Sequence, residues 1–480
     1  MHLSAHSRDV PSPKKTTPAG VEQTQEATAL AQRLSGLEAF NAQLTQSIDT
    51  LVDSVLQVRD EAKRELAVLE RRVRELEVQL HVERVNRDLE IVSRMHPKDR
   101  VIVFVASTYF GDNIKYAWLE CIRRAEEHGY SVWFLPFDST QETLVTRLGA
   151  NCFPHMPAEW TADHVHVALS AAVVVMNDHL MSANPYANAL LTGARHVQMW
   201  HGVSIKEIGF RNLGPLRGMS PRFARVLRTC GHFTRFIGTT ATNEPEWRRW
   251  FSFDRYAPIG YPRNDVLHRE PGQLDLLNVD QEVYERACAF LAEGRRVYLY
   301  APTFRDANRG KWLLDSGVDH IASAIARNGD LLIVNLHPVE QPLIPELSRQ
   351  LPQLTFVSPR TDIYPLLSRS SVLITDYSSI MFDYLQLDRP IVLFRPDHAD
   401  YTVRSRKLFD DKLSPLPGPM AHNARELVSL LESSALSVDE HYGESRRVLA
   451  SRLYDHCDGK AAERLVDVLL EELELAGASQ

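Results

Sequence analysis

SVLITDYSSIMFDYLQLDRPIVLFRP, Ser371 to Pro396, is the stretch whose reading decides the fold. Val372-Leu373-Ile374 is a short, β-branched apolar run, the mark of a strand buried on both faces. Thr375-Asp376-Tyr377-Ser378-Ser379 interrupts it with polar residues. Ile380, Met381, Phe382, Tyr384, Leu385 and Leu387 then recur at helical spacing. Asp388-Arg389-Pro390 stops that helix, and Ile391-Val392-Leu393-Phe394 is a second strand. This strand–turn–helix–strand unit predicts a parallel sheet. Its turn offers hydroxyls and backbone N–H groups at a helix N-terminus, a place that suits phosphate. The same residues also serve as ordinary helix caps in proteins of every function.

The pattern repeats on both sides. Upstream, strands are predicted at Arg296–Tyr300, Leu331–Leu336 and Thr355–Val357, alternating with helices. An earlier series runs through Val101–Val105, Ser131–Leu135, Ala171–Met176, His196–Trp200, Phe236–Thr239 and Arg255–Gly260. Alternation of this kind gives parallel sheets with right-handed crossovers. The fold class is therefore α/β, with two Rossmann-like doubly wound domains in series, 98–265 and 266–480. The charged helical stretch Tyr261 to Glu293 lies between the two series, and Ala421 to Ala476 reads as amphipathic helix.

Ahead of the first strand the period changes. Leu30, Leu34, Leu37, Leu44, Ile48, Leu51, Val55, Val58 and Ala62 step by fours and threes, with Asn41 in the missing slot. Leu66, Leu69, Val73, Leu76 and Leu80 resume after a four-residue stutter. Residues 21–97 are expected to form a coiled coil, and an a-position asparagine favours a parallel homodimer. The other physical solution is a helix folded back on its own domain. Residues 1–20, rich in Pro, Ser and Lys, are expected to be a disordered tail.

Composition excludes several classes. A net charge of −8 over 480 residues argues against a general nucleic-acid binder. Cys121, Cys152, Cys230, Cys288 and Cys457 are scattered without a C-x-x-C pair, so neither a zinc site nor a disulfide framework is implied, which fits a cytoplasmic setting. The N-terminus has no apolar signal core and no run reaches membrane-spanning length, so any membrane contact is expected to be peripheral. Walker A, G-x-G-x-x-G, H-E-x-x-H and G-x-S-x-G motifs are absent.

Open α/β sheets bind ligands at the carboxyl ends of their strands, and the polar clusters of this chain fall there. His201, in Trp200-His201-Gly202-Val203-Ser204-Ile205-Lys206, follows a strand and can act as a general base or as a structural hydrogen-bonding group. His337-Pro338 ends another strand, where an imidazole can donate to phosphate. Thr303 and Arg305 offer a hydroxyl and a guanidinium; the latter can equally pair with a carboxylate. Gly260-Tyr261-Pro262-Arg263-Asn264-Asp265 reads as a turn.

Taken together, FGDNIKYAW (Phe110 to Trp118), MWHGVSIKEIGF (Met199 to Phe210), GYPRND (Gly260 to Asp265), YAPTFRD (Tyr300 to Asp306), LHP (Leu336 to Pro338), Thr361 to Phe394 and LPGPM (Leu416 to Met420) resemble the CDP-glycerol glycerophosphotransferases of teichoic-acid and capsule synthesis. The resemblance runs from Val101 to Leu475. It implies a GT-B fold and transfer of glycerol phosphate or ribitol phosphate from a CDP-alcohol to a hydroxyl of a surface glycan or polymer, lipid-linked in some cases, with release of CMP. It also implies roles. His201 and His337 are the catalytic candidates. Thr303, Arg305, Asp376, Ser378, Ser379, Arg263 and Asp383 fall on the donor side, and Asn113, Lys115 and Lys206 on the acceptor side. The CDP-alcohol is a substrate; no cofactor is required, and no carboxylate cluster calls for a metal. The chain departs from the family pattern W-H-G-T-P-L-K-K-x-G-F-D: Val203-Ser204 replace Thr-Pro, and Arg211 stands where an acidic residue is usual. Alternatives are a GT-B glycosyltransferase using a CMP-activated or other nucleotide sugar, a nucleotide-sugar epimerase, and an inert scaffold carried on the coiled coil.

Overall fold

The computed structural model describes residues 19–178, 184–204, 231–305, 310–398, 410–432 and 440–478. Helix α1, Ala19–Met95, runs through two compact units, residues up to His81 and residues from Val82 onward. In the first unit every residue from Thr24 to His81 is exposed, the whole leucine stripe included. Residues 1–18 of the expected tail lie outside the described residues, and Ala19 and Gly20 already belong to α1.

The second unit contains two parallel sheets. The first has strands β1 (Asp99–Val105), β2 (Ser131–Leu135), β3 (Asn151–Cys152), β4 (Ala171–Met176), β5 (Arg195–Gln198), β6 (His232–Ile237) and β7 (Ser252–Ala257), in the order β3-β2-β1-β4-β5-β6-β7. The second has β8 (Val297–Ala301), β9 (Leu331–Val334), β10 (Thr355–Phe356), β11 (Val372–Thr375), β12 (Ile391–Phe394) and β13 (Met420–Ala421), in the order β10-β9-β8-β11-β12-β13. Strands with both faces covered need apolar residues at every position, and β4, β8, β9, β11 and β12 are buried throughout. This is the two-domain α/β architecture expected from the sequence. The two-residue strands β3 and β13 were not anticipated, because so short a run carries no periodicity.

The C-terminal helix Ala461–Ala478 follows the second domain in sequence but packs on the first sheet. Leu465, Val466, Leu469 and Leu473 join Ile102, Phe104, Val173 and Val175 in one core. Its Glu472 is fully buried and accepts hydrogen bonds from Arg195 at 2.6 Å, Arg235 at 3.0 Å and Arg255 at 2.6 Å. Asp265 caps its start, accepting from the N–H groups of Ala461 (2.9 Å) and Ala462 (2.8 Å). Amphipathic spacing shows that a helix has an apolar face but not which sheet will cover it. The assignment of all of 266–480 to one domain therefore missed this return.

Candidate active site

The loops that carry the polar clusters leave the carboxyl ends of β1, β4, β5 and β7 in the first sheet and of β8, β9, β11 and β12 in the second. Those after β5, β7 and β11 meet at Gly202. A Cβ built there would stand 2.5 Å from Arg263 Nη2 and 3.6 Å from Ser379 Oγ. Gly202 has φ +125°, so both its backbone and its surroundings require glycine. The loop after β5 thus touches the turn after β7 and the turn after β11.

His201, the residue before Gly202, is exposed. Its Nδ1 lies 3.3 Å from the carbonyl oxygen of Asn177, and its ring stacks on Trp200 at 4.2 Å and 27°. A carbonyl only accepts, so Nδ1 carries the hydrogen and Nε2 keeps its lone pair. Trp200 has φ +53°, a conformation seldom taken by a large side chain. Three bonds or contacts hold it: its N–H donates to Gln198 Oε1 (2.8 Å), its carbonyl accepts from Asn113 Nδ2 (2.9 Å), and its ring packs on Phe251 at 4.7 Å.

His337 is half-buried, with its ring 4.5 Å from that of Phe304. Its Nδ1 accepts from the N–H of Val339 at 3.3 Å, so the neutral ring carries its hydrogen on Nε2. With Nδ1 facing a carbonyl in His201 and an N–H in His337, the two neutral rings carry their hydrogens on opposite nitrogens.

On the second sheet, Arg305 bonds Asp376 at 2.8 Å and Asp397 at 2.6 Å. The guanidinium lies over Trp312 and Tyr377. Burial opposes its charge, but the two carboxylates outweigh burial and raise its pKa. The N–H of Thr303 donates to Asp376 Oδ1 at 2.9 Å, and the buried Thr303 hydroxyl has no hydrogen-bond partner among the described residues. Tyr377 OH lies 3.1 Å from His398 Nδ1. Ser378 and Ser379 are half-buried on the same turn. The helix behind them, Ile380–Tyr384, has five residues, and Ser379 makes no side-chain cap. The expected helix N-terminus is therefore a single short turn.

Four expected ligand contacts take a different form. Lys115, expected on the acceptor side, is fully buried. Its ammonium donates to the carbonyls of Asp275 and Leu277 (2.5 and 2.7 Å) and to Asp362 (2.8 Å), which uses all of its protons within the protein. Arg263 and Asp383, expected beside the donor, are also buried. Arg263 bonds Asp112 at 2.6 Å and Asp383 at 2.7 Å; the two carboxylates overcome the cost of burial and raise its pKa well above the ordinary value. Asp383 further accepts from Asn264 (3.0 Å), Tyr364 (2.8 Å) and Tyr454 (3.1 Å). With so many protein donors, Asp383 holds the turns together rather than facing a ligand. Asn113 is likewise buried, tied to Trp200 and to the N–H of Arg263 (3.3 Å). Lys206, Asp306 and Arg211 lie outside the described residues. The sequence reading missed Asp112, Asn177 and Asp397 as site residues. Asp397 was findable, as the polar residue just past β12, whereas Asn177 follows β4 without any motif. Among the described residues, no group of three or more His, Cys, Asp or Glu side chains could hold a metal ion.

Residues 88–471 match the family model described as CDP-Glycerol:Poly(glycerophosphate) glycerophosphotransferase. A teichoic acid ribitol-phosphate primase of Bacillus spizizenii is 26% identical over 283 residues, 57% of this chain and 68% of that protein. A teichoic acid poly(glycerol phosphate) polymerase of Staphylococcus epidermidis is 27% identical over 289 residues, 58% of this chain but only 39% of its relative. Among solved structures, the wall teichoic acid polymerase TagF superposes with a TM-score of 0.61 at 22% identity, covering 82% of this chain and 95% of that one. That likeness bears on the fold, and it agrees with the GT-B arrangement.

Proposed function

The chain belongs to the CDP-glycerol:poly(glycerophosphate) glycerophosphotransferase family, and on that premise we propose that it transfers a polyol phosphate from a CDP-alcohol to a hydroxyl of a teichoic-acid-like polymer or surface glycan. The supporting observation is His201, exposed beside Gly202 with its Nδ1 facing the Asn177 carbonyl oxygen. His201 Nε2 takes the proton of the acceptor hydroxyl as its oxygen attacks the β-phosphorus. The bond from that phosphorus to the bridging oxygen breaks, CMP leaves with the electron pair, and a phosphodiester forms. His337 Nε2–H, Arg305 and the hydroxyls of Thr303, Ser378 and Ser379 offset the charge that grows on the pyrophosphate. In-line transfer of this kind depends on positioning and charge neutralisation more than on covalent help. For Arg305 to serve, it must turn from Asp397, the outer and more exposed of its carboxylates, towards the donor phosphates.

The test is CMP release by the full chain from CDP-glycerol, CDP-ribitol and CMP-sialic acid assayed side by side. Turnover of a CDP-polyol with acceptor present is the expected result. Turnover of CMP-sialic acid alone would make the protein a glycosyltransferase.

The exposed leucine stripe of α1 is proposed to pair with a second copy of the chain, since a lone helix cannot bury it and a paired one can. Light scattering should give a dimer that Ile48→Asp with Leu51→Asp converts to monomer; a monomeric wild-type chain at micromolar concentration would refute the pairing. No helix among the described residues is long and apolar enough to cross a membrane. Work at a lipid-linked acceptor on the inner face of the membrane is accordingly proposed to be peripheral, and sedimentation with membranes that high salt reverses would support it.

A further inference from the structure

We propose that Asp112 is a positioning residue for the His201 base, acting through Asn177, Asn113 and Arg263; the inference rests on the reading of His201 given above. Asp112 is the first residue of helix α2 (Asp112–His128), buried, with φ +53°. A non-glycine residue keeps that conformation only where its surroundings enforce it. Its carboxylate is divided between the supports of the His201 loop. Oδ2 accepts from Asn177 Nδ2 at 3.0 Å. The backbone carbonyl of the same Asn177 faces His201 Nδ1 and selects its tautomer. Oδ1 accepts from Arg263 Nη1 at 2.6 Å and from the N–H of Asn113 at 2.7 Å. Arg263 in turn packs against Gly202, and the side chain of Asn113 holds the Trp200 carbonyl. The residue before His201, the residue after it and its own Nδ1 are thus all held by groups that meet at one carboxylate.

The chemistry of the group matters. A carboxylate accepts at both oxygens. An asparagine at position 112 would turn an NH2 towards either Arg263 or Asn177, both of them donors here. One support of the loop would then be lost, and the Asn177 carbonyl or Gly202 would shift. Displacement of a base by about 1 Å costs roughly a hundredfold in rate.

The experiment is a double-mutant cycle on the full chain. It measures CMP release from CDP-glycerol for wild type, Asp112→Asn, His201→Ala and the double variant, with melting temperature and CDP affinity recorded for each. Asp112→Asn is expected to lower kcat by about 10–100-fold with CDP affinity within about threefold of wild type. Asp112→Glu is expected to recover part of the loss. In the His201→Ala background the same substitution should cost nothing further, because the base it positions is gone. A merely structural role would lower both backgrounds by the same factor, and that additivity would overturn the proposal, as would normal kcat in folded Asp112→Asn. If Asp112→Asn does not fold, Asn177→Ala, which removes one amide hydrogen bond to the carboxylate and leaves the Arg263 pair in place, takes its place in the cycle with the same two outcomes. Near-normal turnover by His201→Ala would instead remove the base assignment itself. Additivity with an inactive His201→Ala removes only the role of Asp112.

Discussion

Arg263 and Arg305 each stand between two aspartates, yet their surroundings differ. Arg263 has a side chain 4% exposed, and its partners Asp112 and Asp383 are 8% and 1% exposed. It joins turns from the first sheet to the helix behind β11, and its carboxylates are bonded on every side. Arg305 is nearly as well covered at 8%, but its outer partner Asp397 is 31% exposed. A closed triad cannot exchange a partner without leaving a buried charge uncompensated. A triad with one wet carboxylate can, since water solvates the displaced aspartate. The first arrangement suits a fixed frame for His201; the second suits a cation that hands over to phosphate.

The difference between the two triads is largest at Arg263. Arg263→Leu leaves Asp112 and Asp383 without their cation and is expected to cost about 3–5 kcal/mol of stability, read from chemical denaturation of the full chain. A cost under about 1 kcal/mol would show that the triad is not the closed frame described. Arg305→Ala should cost less stability, since Asp397 reaches water and the buried Asp376 keeps the N–H of Thr303, while CDP binding by calorimetry weakens by about 10–100-fold, the size of a lost charge-assisted bond. Unchanged CDP affinity would mean that Arg305 stays with its aspartates throughout.

Asp265, on the same turn as Arg263, shows what burial does to a carboxylate held mainly by backbone N–H groups. Burial pushes its pKa up to about 6 from 3.8, against the pull of the Ala461 and Ala462 N–H groups. The folded state therefore binds more protons than the unfolded chain between about pH 4 and pH 6, and stability falls as pH rises through that window. Asp265→Asn keeps a capping oxygen and removes the titration. Its stability relative to wild type should improve by about 2 kcal/mol from pH 4 to pH 7, and a pH-independent difference would place the pKa at its ordinary value. The smallest effect is expected at the serine hydroxyls: Ser378→Ala with Ser379→Ala should weaken CDP by roughly tenfold, about 0.7 kcal/mol per hydroxyl, with melting temperature unchanged. Full CDP affinity would reduce that turn to a helix cap.

The sequence made the sheets legible because strands covered on both faces must be apolar end to end, as Val372–Ile374 and Ala171–Met176 are. It made the loops legible because strand ends, prolines and glycines mark them, so His201, His337, Arg305 and Ser378-Ser379 all lie on the expected edges. Pairing was not legible. Nothing local to Arg263 says that its partners are Asp112, about 150 residues before it, and Asp383, about 120 after it, nor that Lys115 is spent on the carbonyls of Asp275 and Leu277. Burial and long-range contact turn a residue that looks ligand-binding into one that holds the frame. For the same reason the last helix was grouped with the wrong sheet: Leu465 and Leu469 repeat at helical spacing whichever core receives them.

The proposed transfer turns on one proton acceptor. CMP release from a CDP-alcohol by folded His201→Ala, measured beside wild type with acceptor present, tests it most directly. Turnover lower by about a hundredfold or more, with melting temperature and CDP affinity unchanged, is the expected result. Turnover near that of wild type in a folded variant would contradict it.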